Sequence, residues 1–136
     1  MSKRKKRKAA TKDEITARVR DAALATAGKK AFRIDILEVG ALTSIADYFI
    51  ICSTTSERQS NAVADAVEES VWVEHRVKPL LTEGRKTGRW ILLDFGDFVV
   101  HVFTEECRRF YALERLWGDA PNLASEILGE PSTIGA

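Results

Sequence analysis

The sequence predicts a single α/β domain, a mixed sheet flanked by helices, and three observations carry that prediction. The chain has 136 residues, room for one domain of the usual ~100–150 residues. Stretches with helical spacing and short apolar runs follow one another in the order α-β-β-α-β-β-β-α, which gives five strands with helices between them. One run, Tyr48-Phe49-Ile50-Ile51-Cys52, is apolar at every position, the mark of a strand covered on both faces.

Residues 1–12 hold almost nothing apolar and are expected to be a disordered basic tail. Thr11 to Glu14 fits the S/T-x-x-E capping box. Ile15, Val19, Ala22 and Ala23 then share one helical face, so a first helix is expected over 13–27, ended by Gly28. Phe32, Ile34 and Ile36 alternate with Arg33 and Asp35, a strand with one polar face. Asp35 is read as an exposed carboxylate rather than a catalytic one. After a loop over 40–46 comes the apolar run. Ser56 to Gln59 repeats the capping spacing, and Val63, Ala66, Val67 and Val71 stripe a second helix to about Glu74. Its other face carries Glu57, Asp65, Glu68 and Glu69, expected to be solvated. Val77 to Thr82 contains Pro79, which has no N–H for a ladder, so it belongs at an edge. Arg85-Lys86-Thr87 between two glycines reads as a mobile basic loop.

The stretch from Glu83 to Asp119 is the richest. Trp90–Leu93 and Phe98–Phe103 are strand-like runs joined through Asp94-Phe95-Gly96-Asp97, a hairpin signal. Thr104 serves as N-cap, with Glu105 and Glu106 in a first turn that suits carboxylates. The following helix carries Phe110, Tyr111 and Trp117 and ends at Gly118, with Pro121 beyond. The domain is therefore expected over 13–119, and 120–136 is read as a mostly disordered tail.

Charge separates the tail from the body. Lys3 to Lys8 holds six of the 21 basic residues, so the rest sets 15 against 20 acidic residues, a remainder of −5. An acidic body argues against a general nucleic-acid-binding surface and suits a basic protein partner. The tail offers a weak RNA contact through counterion release, beside the plainer reading of a solvated tail. Two cysteines are too few for a disulfide framework. Cys52 inside an apolar run reads as core and favours a reducing cytosol. No apolar run reaches the ~20 residues of a transmembrane helix, and the basic N-terminus has no apolar stretch behind it to make a secretory signal.

The strings D-I-L-E-V, A-D-Y-F-I-I-C, T-S-E-R-Q, W-I-L-L-D-F-G-D-F-V-V-H-V-F and E-E-C-R-R-F-Y-A-L-E-R-L-W occur in this order. Together they resemble the ribosomal silencing factor family (RsfS, also called Iojap) over roughly Asp13 to Asp119. The resemblance implies a five-stranded mixed sheet similar to the nucleotidyltransferase fold. It also implies a factor that docks on the large ribosomal subunit at its protein fourteen, on the subunit interface. There it blocks small-subunit joining and lowers translation when nutrients are short. The matching positions are Trp90, Asp94, His101, Arg108, Tyr111, Glu114 and Trp117. Some family members dimerise, and the edge around Pro79 or the last helix offers a homodimer contact here.

The alternative is a nucleotide-binding transferase-like enzyme. Its phosphate turn would be Cys52 to Ser56, but family members usually carry glycine where this chain has Thr54, and β-branching hinders close phosphate approach. No Asp-x-Asp pair on a strand supplies a Mg²⁺ site. Asp94-Phe95-Gly96 lacks the other kinase motifs. His75 and His101 have no partners at metal-ligand spacing, and Cys107 lacks an oxyanion device. No catalytic residue, metal or cofactor is expected. Surface recognition remains, and Trp90, Phe103, Tyr111, Trp117 and Arg108 are hot-spot types. With one continuous last helix, Phe110 and Leu113 fall to the core, and Tyr111, Glu114 and the hairpin ends fall to contact. Leu116 and Trp117 suit either, and His101 reads as a structural histidine.

Overall fold

A computed structural model describes residues 9–129; the basic run Lys3–Lys8 lies outside them. Helix α1 (Lys12–Gly28) leads to strands β1 (Phe32–Glu38) and β2 (Tyr48–Thr54), then α2 (Glu57–His75). Strands β3 (Leu81–Glu83), β4 (Trp90–Asp94) and β5 (Phe98–Thr104) follow, then short helices α3 (Glu105–Tyr111), α4 (Leu113–Leu116) and α5 (Ala124–Leu128). The five strands form one sheet in the order β1-β2-β5-β4-β3. β2 and β5 run parallel and the other pairs antiparallel, so the sheet is mixed, as expected.

The capping box at Thr11 forms: its hydroxyl accepts from Glu14 N at 3.1 Å and Glu14 Oε1 accepts from Thr11 N at 2.9 Å. At α2, Ser56 Oγ accepts from Gln59 N, but the Gln59 side chain reaches back to Thr55 N instead of Ser56 N. The alternation of the strands sorts side chains onto two faces. Ile34, Ile36, Ile50, Cys52, Ile91, Leu93, Val100 and Val102 point one way, against Val19, Ala22, Ala23, Val63, Val67 and Val71 of α1 and α2. Fully burying a Val or Ile contributes roughly 1.5–3 kcal/mol, so this face supplies most of the hydrophobic stabilisation. The opposite face carries Leu37, Phe49, Ile51, Val99 and Phe103. Val39 and Ala46 of the β1–β2 loop, Cys107 of α3, Leu113 of α4 and the chain around Trp117 and Ala120 pack there.

The structure differs from the sequence reading in several places. The loop after β3 is pinned, not mobile. Arg85 pairs with Asp65 at 2.9 Å and Glu68 at 3.0 Å and donates to Asn61, so part of the acidic face of α2 is occupied from within. Gly84 has φ +87°, and a Cβ there would lie 1.9 Å from Trp90 O, so the loop is built on glycine. Asp35 is engaged in an ion pair, as described below. The chain beyond Asp119 is ordered through Gly129. Leu123 N donates to Ile36 O and Glu38 N to Pro121 O, which covers the outer edge of β1. Leu123, Ala124, Ile127 and Leu128 pack against the first core. Lone strand-edge pairing leaves no periodicity in a sequence, which is why this segment was invisible there.

Candidate recognition surface

The second face of the sheet holds the residues singled out at its C-terminal half. Trp90 lies half-buried on β4, its ring 4.8 Å from Phe103 and 4.9 Å from Tyr111. Its indole Nε1 donates to His101 Nδ1 at 3.2 Å. Because indole nitrogen only donates, Nδ1 must accept and the imidazole proton sits on Nε2. His101 is 5% exposed, and burial pulls its pKa from 6.5 down to about 4. It is therefore neutral at neutral pH, a structural histidine that orients Trp90. Phe49 stands edge-on to His101 and to Trp117, whose ring is 5.2 Å away.

Asp94 is buried and works locally: Oδ1 accepts from Gly96 N at 2.8 Å and shapes the hairpin turn.

Arg108 is the centre of this face. Its guanidinium is buried under α3 and meets acceptors from three other elements. Nη1 donates to Arg33 O and to Ser53 Oγ (3.0 Å), Nη2 to Asp35 Oδ2 (2.6 Å), and Nε to Glu114 Oε1 (3.3 Å). The Arg33 carbonyl is available because β1 bulges there, with φ +51° and a register shift between Phe32 and Asp35; bulges re-aim backbone in this way. A buried cation surrounded by carboxylates and oxygens is the arrangement that makes such burial tolerable. Asp35, read from sequence as an exposed carboxylate, is thus a structural counter-ion.

The last helix is not continuous, and this corrects the assignment of its faces. Ala112 adopts the left-handed conformation, φ 46° and ψ 47°, with its N–H on Arg108 O. The chain turns there, α4 restarts, and the stripe Phe110-Leu113-Trp117 is broken. Phe110, expected in the core, is 79% exposed, beside Tyr111 at 52% and Leu116 at 73%. Leu113 and Trp117 do pack against the second core. Alanine is the best helix former, so nothing in the sequence signals a break at Ala112. The break also returns Glu114 to Arg108. Between α3 and the loop after β3, Trp90, Phe110 and Tyr111 wall a groove of about 480 Å³, with Arg89 and Glu106 on its rim.

The turn considered for phosphate faces inward. Ser53 and Thr54 are fully buried; Ser53 Oγ accepts from Arg108, and Thr54 Oγ1 lies 2.6 Å from Ser60 Oγ. Cys52 is buried and its thiol pushed up to about 12 by desolvation; burial also raises Cys107. Among the described residues no cluster of three His, Cys, Asp or Glu is placed to hold a metal, and no helix is long and apolar enough to cross a membrane.

These features define a small mixed α/β domain with one sealed sheet face and, on the other, an aromatic surface organised around a buried arginine. A family model described as "Ribosomal silencing factor during starvation" matches residues 12–134. The chain belongs to this ribosomal silencing factor family of translation regulators. It is 42% identical over 98 residues to the silencing factor RsfS of Halalkalibacterium halodurans, spanning 72% of this chain and 83% of that one. A crystal structure of a Chromobacterium violaceum protein superposes with a TM-score of 0.74 at 34% identity, covering 76% of this chain and 86% of that one. The mouse protein named "Mitochondrial assembly of ribosomal large subunit protein 1" is 31% identical over 110 residues, 75% of this chain and 48% of its own length.

Proposed function

We propose that this protein docks on the large ribosomal subunit, at ribosomal protein fourteen on the subunit interface, and there obstructs small-subunit joining. Translation falls under nutrient limitation as a consequence. The observation that carries the reading is the exposure of Phe110, Tyr111 and Leu116 on the short helices that cover the second sheet face. Large exposed apolar side chains grouped together mark interaction sites. Trp90, Tyr111, Glu114 and Trp117 contribute contact atoms, while His101 and Arg108 hold them in place and Asp94 shapes the hairpin turn. The acidic body, −5 without the Lys3–Lys8 run, complements a basic ribosomal protein and raises the rate of encounter. A patch of about 800 Å² per partner suffices for specific binding, and the domain's bulk supplies the block. No reaction is required; the protein acts in the cytoplasm as a steric factor.

Sedimentation of purified ribosomal subunits with the protein tests this. Co-migration with the large subunit and a smaller joined-ribosome peak are expected. Protein left at the top of the gradient refutes the reading. A melting temperature raised by Mg²⁺ and nucleoside triphosphate would then favour the transferase alternative.

A further inference from the structure

We propose that Asn122 and Asp35 are positioning residues for the recognition surface, acting on it through Arg108 and Glu114. This rests on the docking reading above. It assigns to the C-terminal segment, 120–129, a part in recognition as well as in covering β1.

The observations form a chain of bonds. Asn122 is fixed first: its Oδ1 accepts from Ile36 N at 3.2 Å and from Ala124 N at 3.1 Å. That leaves its amide nitrogen aimed at Asp35 Oδ1, 2.8 Å away. The other oxygen of Asp35 accepts from Arg108 Nη2 at 2.6 Å, and Arg108 Nε donates to Glu114 Oε1 at 3.3 Å. A guanidinium is a flat, rigid fork. With Nη1 on Ser53 and Arg33 and Nη2 on Asp35, the direction of Nε is set. Any rotation of the Asp35 carboxylate therefore turns the bond offered to Glu114.

Glu114 needs that bond. Helix α4 has four residues, buries none of them and has no side-chain cap. A piece that short has no stability of its own. Its orientation is set by Leu113 and Trp117 packing below and by the Arg108–Glu114 contact at its start. Glu114 follows Tyr111 by three residues and precedes Leu116 by two, so the position of α4 sets where Leu116 and Trp117 stand relative to Phe110 and Tyr111 on α3. Asn122 thus lies two hydrogen bonds from the guanidinium that holds that surface.

The substitution Asn122→Asp separates this role from simple attachment of the C-terminal segment. An aspartate keeps both backbone-accepting bonds, yet it has no N–H for Asp35 and places a like charge beside it. Adding Asp35→Asn restores a donor from the opposite side, while its amide oxygen still accepts from Arg108. The experiment measures affinity of the full-length chain for purified large ribosomal subunits, with melting temperature and amide exchange of α1, α2 and β5 read in parallel. N122D is expected to remain folded with unchanged core protection and to bind roughly five- to tenfold more weakly, a modest coupling. N122D/D35N is expected to recover most of the loss. Should N122D melt near the assay temperature, Asp35→Asn alone takes its place: with its oxygen kept on Arg108, its amide nitrogen meets that of Asn122, donor against donor. The double variant should then bind more tightly than D35N alone. Wild-type affinity in the single variant or no recovery in the double variant overturns the proposal. A wild-type chain that fails to bind the subunit overturns the docking reading instead, and the positioning role with it.

Discussion

The two faces of the sheet solve different problems. One is covered by helices of 17 and 19 residues whose Val19, Ala22, Val63, Val67 and Val71 are wholly buried. The other is covered by helices of 7 and 4 residues, with Arg108 the one residue of either that is buried. A long helix presents several turns of apolar stripe and is held by area alone. A short one has too few turns for that and must be pinned at points, here by Arg108, Leu113 and Trp117. Point attachment leaves Phe110, Tyr111 and Leu116 outward. The face that contributes least to the fold is the one free to meet a partner.

The comparison is broken most severely from the sealed side. Phe98 is 1% exposed and stacks on Phe95 with ring centroids 4.7 Å apart. Phe98→Ala removes a large core side chain and is expected to cost about 3–5 kcal/mol. Chemical denaturation should show the whole domain destabilised as one cooperative unit. A loss below 1 kcal/mol would mean that this face is not the main source of stability.

Acid offers the next largest effect and acts on the second face. His101 has a pKa near 4 in the fold against 6.5 unfolded, so between these values the unfolded chain binds the extra proton. Stability is therefore fully present above about pH 6.5, falls as pH drops toward 4, and levels off below it. The contribution lost is about 3 kcal/mol at one pKa unit per ~1.4 kcal/mol. In His101→Gln this part of the pH dependence should vanish; a variant with the wild-type profile would place the titration elsewhere.

A smaller effect sharpens the boundary between the faces. Gly84 holds the loop after β3 against Trp90 O in a left-handed conformation. Gly84→Ala adds strain and a clash, together about 1–3 kcal/mol. Because the clash is with the backbone of Trp90, the indole N–H bond to His101 should be disturbed first. Amide exchange in β3 and β4 should rise before that in α1 and α2. Uniform loosening of both would argue that the faces are not independent.

Much of this was legible in the sequence, and the division again follows the faces. The strands β1, β2, β4 and β5, with α1, α2 and their N-caps, announce themselves because burial of long stripes imposes regular spacing, as at Val63, Val67 and Val71; β3, three exposed residues at Leu81–Glu83, has no such stripe and was placed at Val77 to Thr82. The second face is assembled from single contacts, which leave no period. Trp90, His101, Arg108 and Tyr111 were identifiable from the resemblance, but not the pairing of Arg108 with Asp35, 73 residues away. Asn122 carried no signal at all, since its partners are one carboxylate and two backbone amides. The left-handed Ala112 ran against its own propensity, and the assignment of Phe110 to the core failed with it.

Phe110 gives the smallest effect on stability and the most direct test of what that face is for. The residue is 79% exposed, and its ring stands edge-on to Tyr111 with centroids 4.9 Å apart. Phe110→Ala removes little buried area, so its unfolding free energy should stay within about 0.5 kcal/mol of wild type. An aromatic at the centre of a recognition surface typically costs 2 kcal/mol or more in binding when truncated, about thirtyfold in affinity. The expected pairing is an unchanged melting curve and strongly reduced co-sedimentation with the large ribosomal subunit. The same measurement on Val73→Ala, an exposed apolar residue of α2, should change neither, because it lies on the helix that seals the other face. Equal binding by the Phe110 variant would move the contact off the α3–α4 surface, whereas lost binding in the Val73 variant would move it to the sealed side.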